Sequence, residues 1–93
     1  MGTRPRLRQK RLPEKLRAIR DALGLSQSEL PKRLGVEKLI DPYRISEFET
    51  GKREPPLLVL LRYAEAAGIC TDVLIDDERD LPARLPSKPK HSH

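Results

Sequence analysis

Apolar residues near the start of the chain recur at the spacing of an amphipathic α-helix. Four of them are separated by four, three and four positions: Leu12, Leu16, Ile19 and Leu23. Because a helix turns once in about 3.6 residues, this spacing places all four on one face. Pro13 fits the first turn of such a helix, where no backbone donor is needed, and Gly24 can adopt the left-handed conformation that ends it.

Start and stop signals divide the following residues into further helices. Ser26 and Glu29 form an S-x-x-E capping box, in which each side chain accepts a free backbone N–H at a helix start. Asp41 before Pro42 is a second start signal, an N-cap residue followed by proline at the first helical position. The residues predicted to end helices are all glycines: Gly24, Gly35, Gly51 and Gly68. A short fifth element is predicted at about 71–75.

The fourth helix follows Pro55 and Pro56 and is apolar nearly all round. Its predicted core-facing residues are Leu57, Leu60, Leu61, Ala64 and Ala67. Leu58 and Val59 point elsewhere on the same helix, so we expect it to be covered on both sides. A second copy of the chain can supply that cover, which makes Leu58 and Val59 the predicted dimer interface. Alternatively, Val59 is a single exposed valine of no special meaning.

Both ends of the chain differ in composition from the predicted domain, residues 12–75. Residues 1–11 are polar and basic and are expected to form a flexible arm. Residues 76–93 are charged and rich in proline, and we expect them to bury too little apolar surface to offset the conformational entropy lost on ordering. The predicted fold class is therefore all-α: a compact four- to five-helix bundle between a disordered basic N-terminal arm and a disordered C-terminal tail.

Charge is distributed unevenly along the chain. The formal net charge is +5, but residues 1–20 hold eight basic side chains and one acid, whereas residues 57–83 hold two basic and six acidic side chains. A polyanion would be attracted to the first part and repelled by the second. The basic residues of the arm are Arg4, Arg6, Arg8, Lys10 and Arg11. They can solubilise the chain or follow a DNA minor groove, and both readings stay open.

Several classes of function find no support in the sequence. The single cysteine, Cys70, rules out an intrachain disulfide and is interpreted as a small half-buried residue. No catalytic constellation, metal-ligand spacing or Gly-rich phosphate loop is present, and His91 and His93 are interpreted as tail residues. No apolar run approaches the roughly 20 residues needed to cross a membrane. We therefore expect a non-enzymatic, cytoplasmic protein without a metal or a cofactor.

An ordered series of short motifs resembles the phage-repressor-like (Cro/Xre-type) helix-turn-helix family. The motifs are Gly-Leu-Ser-Gln-Ser-Glu-Leu at 24–30, Leu-Gly-Val at 34–36, Ile-Ser-Glu-Phe-Glu-Thr-Gly-Lys-Arg-Glu-Pro at 45–55, Ala64, and Gly-Ile at 68–69. The resemblance covers about residues 13–75. It implies sequence-specific binding of double-stranded DNA by a homodimer that regulates transcription, most simply as a repressor, with the third helix in the major groove.

The resemblance and the helical geometry together assign candidate DNA contacts. The predicted phosphate-contacting residues are Arg20, Gln27, Arg44, Lys52 and Arg53. The predicted base-contacting residues, which lie opposite the core-facing Ile45 and Phe48, are Tyr43, Ser46, Glu47 and Thr50. The resemblance also pairs Arg20 with Glu49 in a salt bridge. Glu47 can accept a hydrogen bond from a cytosine amino group, and Tyr43 can instead be a packing residue.

Two departures from the family pattern affect these assignments. Eight residues separate Val36 from Ile45 where the family has four, and the apolar Leu39 and Ile40 of the longer turn are expected to be partly buried. Pro31 stands about five residues into the second helix, where proline costs about 3 kcal/mol. That helix is therefore expected to be kinked or to have an irregular first turn. Together with the outward acidic residues Glu37, Glu47 and Glu54, these departures favour the alternative of a protein-interaction module that keeps the helix-turn-helix fold. An antitoxin with the same fold is a further alternative.

Overall fold

The computed structural model describes residues 9–85, and these residues form five helices joined by turns, with no strand among them. The helices are α1 (Leu12–Leu23), α2 (Leu30–Leu34), α3 (Pro42–Thr50), α4 (Leu57–Ala67) and α5 (Thr71–Ile75). The predicted all-α class is thereby confirmed. The predictions for residues 1–8 and 86–93 lie outside the described residues. No described helix is long and apolar enough to cross a membrane.

The core lies between α1 and the helices that pack around it. α1 packs against α3, α4 and α5, and α2 packs against α3 and α4. Three of the four residues of the predicted α1 face are buried, and Leu23 is half-buried. The largest fully buried side chains are Tyr63, Phe48, Leu16, Ile19, Leu30, Ile45 and Leu74. The two apolar residues of α3 are thus fixed in the core, as the sequence predicts.

α2 shows how the chain accommodates Pro31. Residues 27–29 form a turn, and the regular helix begins only at Leu30. Pro31 therefore lies in the first helical turn, where its missing N–H would have had no helical partner. The predicted capping box is present: Glu29 N donates to Ser26 Oγ at 3.1 Å, and Ser26 N donates to Glu29 Oε1 at 2.8 Å. The expectation of an irregular first turn is confirmed.

The longer turn between α2 and α3 is compact. The N–H groups of Leu39 and Ile40 both donate to the carbonyl oxygen of Val36, at 2.9 Å each. This turn buries Ile40, which is 7% exposed, but directs Leu39 outward with 76% of its surface exposed. The expectation that Leu39 is partly buried is wrong, because a single tight turn places consecutive residues on different sides.

α4 is rotated differently from the sequence prediction. Val59 is 4% exposed and belongs to the chain's own core, whereas Leu57 is 82% exposed. The buried face is formed by Val59, Leu60, Tyr63, Ala64 and Ala67. The prediction that Val59 faces a dimer partner is therefore wrong, and so is the prediction that Leu57 and Leu61 face the core. Tyr63, a large residue left out of the predicted core face, occupies the centre instead.

The folded part of the chain continues beyond the predicted boundary at residue 75. Asp77 accepts the backbone N–H groups of Lys10 at 2.9 Å and Arg11 at 3.1 Å, and these bonds hold its pKa below the ordinary value. Arg11 also donates to Asp80 Oδ1 at 2.6 Å. Residues 76–85, assigned by composition to the disordered tail, are thus attached to the start of α1. Composition did not reveal this, because the acidic residues find backbone donors and a nearby arginine as partners, while Leu81 and Leu85 of the same segment pack against the core.

Candidate nucleic-acid interface

The outward face of α3 carries the residues that the sequence assigns to base contact. Asp41 caps the helix by accepting the N–H of Arg44 at 3.0 Å, as predicted. Tyr43 is 68% exposed, so it does not serve as a packing residue under the preceding turn. Thr50 is also exposed, and its hydroxyl donates to the carbonyl oxygen of Ser46 at 3.0 Å. Ser46 is half-buried, so the exposed polar surface of α3 is greatest near its two ends.

A buried ion pair fixes α3 against α1. Arg20 Nε donates to Glu49 Oε2 at 2.7 Å, and Arg20 Nη2 donates to Glu49 Oε1 at 3.0 Å. The two side chains are 13% and 3% exposed, and the hydrogen bond to Glu49 raises the pKa of Arg20. Arg20 Nη1 also donates to the carbonyl oxygen of Leu25, at 2.9 Å. Every side-chain nitrogen of Arg20 therefore has an acceptor inside the protein, and the pair that the resemblance implies is present.

Gln27 extends this ion pair to the turn before α2. Its Nε2 donates to Glu49 Oε1 at 3.2 Å, so one carboxylate receives donors from α1 and from the start of the helix-turn-helix. Glu49 is close to fully buried, and a buried carboxylate needs such donors. The result is that the side chain of Gln27 is held against α3.

A second carboxylate of α3, Glu47, connects two further arginines. Its Oε1 accepts from Arg53 Nε at 3.0 Å and lies 3.3 Å from Arg44 Nε. The side chain of Glu47 is 15% exposed, less than expected for a base-contacting group. The pairing with Arg44 has the i, i+3 spacing that favours helical ion pairs, and the sequence contained that signal. The pairing with Arg53 crosses the end of the helix and has no such signature.

The remaining predicted cations follow α3 directly. The N–H groups of Lys52 and Arg53 both donate to the carbonyl oxygen of Glu47, at 2.9 and 3.3 Å, and both residues are exposed. Gly51 precedes them with a φ of 80°, a left-handed conformation that permits this reversal. The structure thus brings Arg44, Lys52 and Arg53 to the surface around α3, while Arg20 is held beneath it.

Other chemistry-bearing groups form no second site within residues 9–85. No cluster of three or more His, Cys, Asp or Glu that could hold a metal is found there. Cys70 is a free, exposed thiol at the start of α5, so the expectation of a half-buried residue is wrong. His91 and His93 lie outside the described residues.

Comparison with known proteins places this arrangement in a family. Residues 16–74 match the family described as Helix-turn-helix, which covers more than half of the chain. Among solved structures, the chain is similar to the P22 c2 repressor, which was crystallised in complex with synthetic operator 9T in the presence of Tl⁺. The TM-score is 0.61 and the sequence identity 29%, over 71% of this chain and 94% of the repressor chain. No curated protein sequence matches with significance. The chain belongs to the phage-repressor-like helix-turn-helix family of DNA-binding transcription regulators.

Proposed function

We propose that this chain binds a specific double-stranded DNA sequence as a homodimer and represses transcription. The observation that carries the proposal is the surface around α3, where exposed polar groups are bordered by Gln27 on one side and by arginines on the other. The similarity to a repressor that was crystallised with its operator supports the same assignment. The setting of this activity would be the nucleoid in the cytoplasm.

In this proposal α3 enters the major groove. Tyr43, Ser46 and Thr50 carry hydroxyl groups that can donate to or accept from base edges. Gln27, Lys52 and Arg53 contact phosphates and set the position of α3 along the duplex. Arg20 contributes by holding Glu49 and thereby Gln27, since its own nitrogens are already bonded within the protein.

The proposed dimer interface is an exposed leucine face of α4, which keeps Leu58 from the sequence prediction but not the buried Val59. Leu57, Leu58 and Leu61 are 82%, 52% and 41% exposed, and the spacing i, i+1, i+4 places them side by side on the helix. Three neighbouring exposed leucines on one short helix are typical of an interface. To read successive major grooves, such a dimer has to hold its two α3 helices about 34 Å apart.

Selection from a randomised duplex library tests the DNA-reading part of the proposal. Binding is carried out at a stated, near-physiological salt concentration, because affinity depends steeply on salt. We expect enrichment of an inverted repeat whose half-sites are about one helical turn apart. Tyr43→Ala should change the enriched sequence, whereas Arg53→Ala should weaken all sequences evenly. Arg79→Ala is the matched control, because Arg79 pairs with Asp72 and Asp76 outside this surface. Without an enriched sequence, the protein-interaction module becomes the better reading.

Sedimentation at tens of micromolar tests the dimer separately. Leu58→Glu should convert a dimer into a monomer, because it places a charge in the centre of the leucine face. Leu39→Glu is the control, since Leu39 is equally apolar and 76% exposed but lies in the turn before α3. A monomeric wild-type protein contradicts the dimer, as does an equal effect of the two substitutions.

A further inference from the structure

Glu47 is engaged with the protein's own cations. Its Oε1 accepts from Arg53 Nε at 3.0 Å and forms an ion pair with Arg44 Nε at 3.3 Å. The carboxylate is 15% exposed, whereas the side chains of Arg44 and Arg53 are 42% and 51% exposed. Both arginine side chains are therefore more exposed than the carboxylate beside them.

The position of Glu47 in α3 makes this contact a connection between both ends of the helix. Arg44 lies in the first turn of α3, and Arg53 lies beyond its last residue, Thr50. The backbone carbonyl of Glu47 also accepts the N–H of Arg53, at 3.3 Å. Glu47 thus fixes the backbone of Arg53 and its side chain at the same time.

The contacts with Glu47 leave most of the donors of both arginines available. A guanidinium carries five N–H donors, and the hydrogen bond that Glu47 accepts uses one of them, Arg53 Nε, while Arg44 faces Glu47 as an ion-pair partner. The Nη1 and Nη2 groups are the ones that can bind a phosphate through two parallel hydrogen bonds. An arginine whose Nε is already anchored loses less conformational freedom when it meets a phosphate.

We propose that Glu47 is a positioning residue that holds Arg44 and Arg53 ready for two DNA phosphates, rather than a group that reads a base. This inference rests on the proposed DNA binding. A carboxylate at a DNA surface needs a compensating donor, and the sequence suggested a cytosine amino group for that role. The structure supplies one hydrogen-bond donor from the protein itself, Arg53 Nε, and a second positive charge, Arg44, whose Nε lies 3.3 Å away, so no base is required.

A double-mutant cycle on the selected duplex tests the coupling. Dissociation constants are measured for the wild type, Glu47→Ala, Arg53→Ala and the double variant. Losing one charge-assisted phosphate contact should weaken wild-type binding about 10-fold. If Glu47 positions Arg53, the same Arg53→Ala change should cost less than about 2-fold in the Glu47→Ala background. Glu65→Ala, which removes an exposed carboxylate from α4, is the matched control and should leave the effect of Arg53→Ala unchanged.

Two further measurements separate positioning from base reading. Selection with Glu47→Ala should recover the same DNA sequence as the wild type. In the DNA-free protein, NMR should show slow solvent exchange of the Arg53 Nε hydrogen, and this protection should be lost in Glu47→Ala but not in Glu65→Ala. A changed base pair in the selected sequence, an undiminished effect of Arg53→Ala, or rapid exchange in the wild type overturns the inference while leaving the proposed function intact. A wild-type protein that selects no sequence overturns both.

Discussion

Replacing Lys15 with methionine should destabilise the domain more than replacing an exposed charged residue of α1. Lys15 is 2% exposed, and its Nζ donates to the carbonyl oxygens of Val73 at 2.8 Å, Asp76 at 3.0 Å and Arg79 at 2.8 Å. These acceptors include the end of α5 and the segment after it. One ammonium group therefore attaches the C-terminal part of the domain to α1.

The expected loss of stability follows from the three hydrogen bonds that methionine cannot donate. Methionine fills a similar volume with a flexible apolar chain, but it leaves three carbonyl oxygens without a donor. Each hydrogen bond from a charged group contributes about 1.5–3 kcal/mol, and the contributions of neighbouring bonds are not additive. Water can reach part of the site once the ammonium is gone, so we expect a loss of about 3 kcal/mol. For a domain of this size that corresponds to a fall in Tm of roughly 15 °C.

Urea unfolding followed by circular dichroism measures the loss, with the linear slope compared between variants to check two-state behaviour. Arg17→Met is the control on the same helix. Arg17 is 66% exposed, and its only ion pair within the described part of the chain is a 3.8 Å contact with Asp21, so we expect a change below about 0.5 kcal/mol. A loss for Lys15→Met below about 1 kcal/mol, or no greater than that for Arg17→Met, would refute the reasoning.

Three other changes have expected outcomes. Tyr63→Phe should leave the free energy of unfolding unchanged or raise it by about 1 kcal/mol, because the buried hydroxyl has no hydrogen-bond partner among residues 9–85. Burial also raises the pKa of Tyr63, so wild-type stability should fall as the pH rises above 10, and Tyr63→Phe should remove that part of the decline. Pro31→Ala should change urea stability by less than about 1 kcal/mol, because Pro31 occupies the first turn of α2. The hydrogen bonds that Asp77 accepts lower its pKa, so the stability that its carboxylate contributes is complete above pH 3.8 and is lost as the pH falls through the lower folded-state pKa. The difference in unfolding free energy between wild type and Asp77→Asn should therefore shrink between pH 5 and pH 2.

The order of the helices and most of their ends could be predicted because they depend on local chemistry, whereas α2 begins at Leu30 and not directly after Ser26. Gly24, Gly35, Gly51 and Gly68 end four helices with φ between 72° and 80°, where a side chain would be strained. The capping box in the turn before α2 and the Asp41 cap of α3 need only residues three positions apart. Such signals are contained within one turn of chain, so a single sequence is sufficient to find them.

The rotation of α4 could not be predicted in the same way. A helix with apolar residues nearly all round contains no strong periodic signal, so several rotations satisfy its pattern. The packing of Tyr63 and Val59 against the other helices decides between them, and it leaves Leu57 outside. The contacts of Lys15 could not be predicted either. Its three acceptors lie about sixty residues away along the chain, and they are backbone atoms without a sequence signature.

The longer turn before α3 need not displace the candidate recognition helix. Its extra length forms one compact turn closed by the carbonyl oxygen of Val36, and Ile40 enters the core at its end. Asp41 then caps α3 independently of the turn, and Glu49 holds the same helix from α1 through Arg20. Because α3 is anchored by the Arg20–Glu49 pair and by its buried residues Ile45 and Phe48, the added residues change the exposed surface of the turn, where Leu39 lies, rather than the anchoring of the helix itself. Under the proposed DNA binding, the turn is therefore a candidate determinant of the DNA sequence, together with the exposed residues of α3.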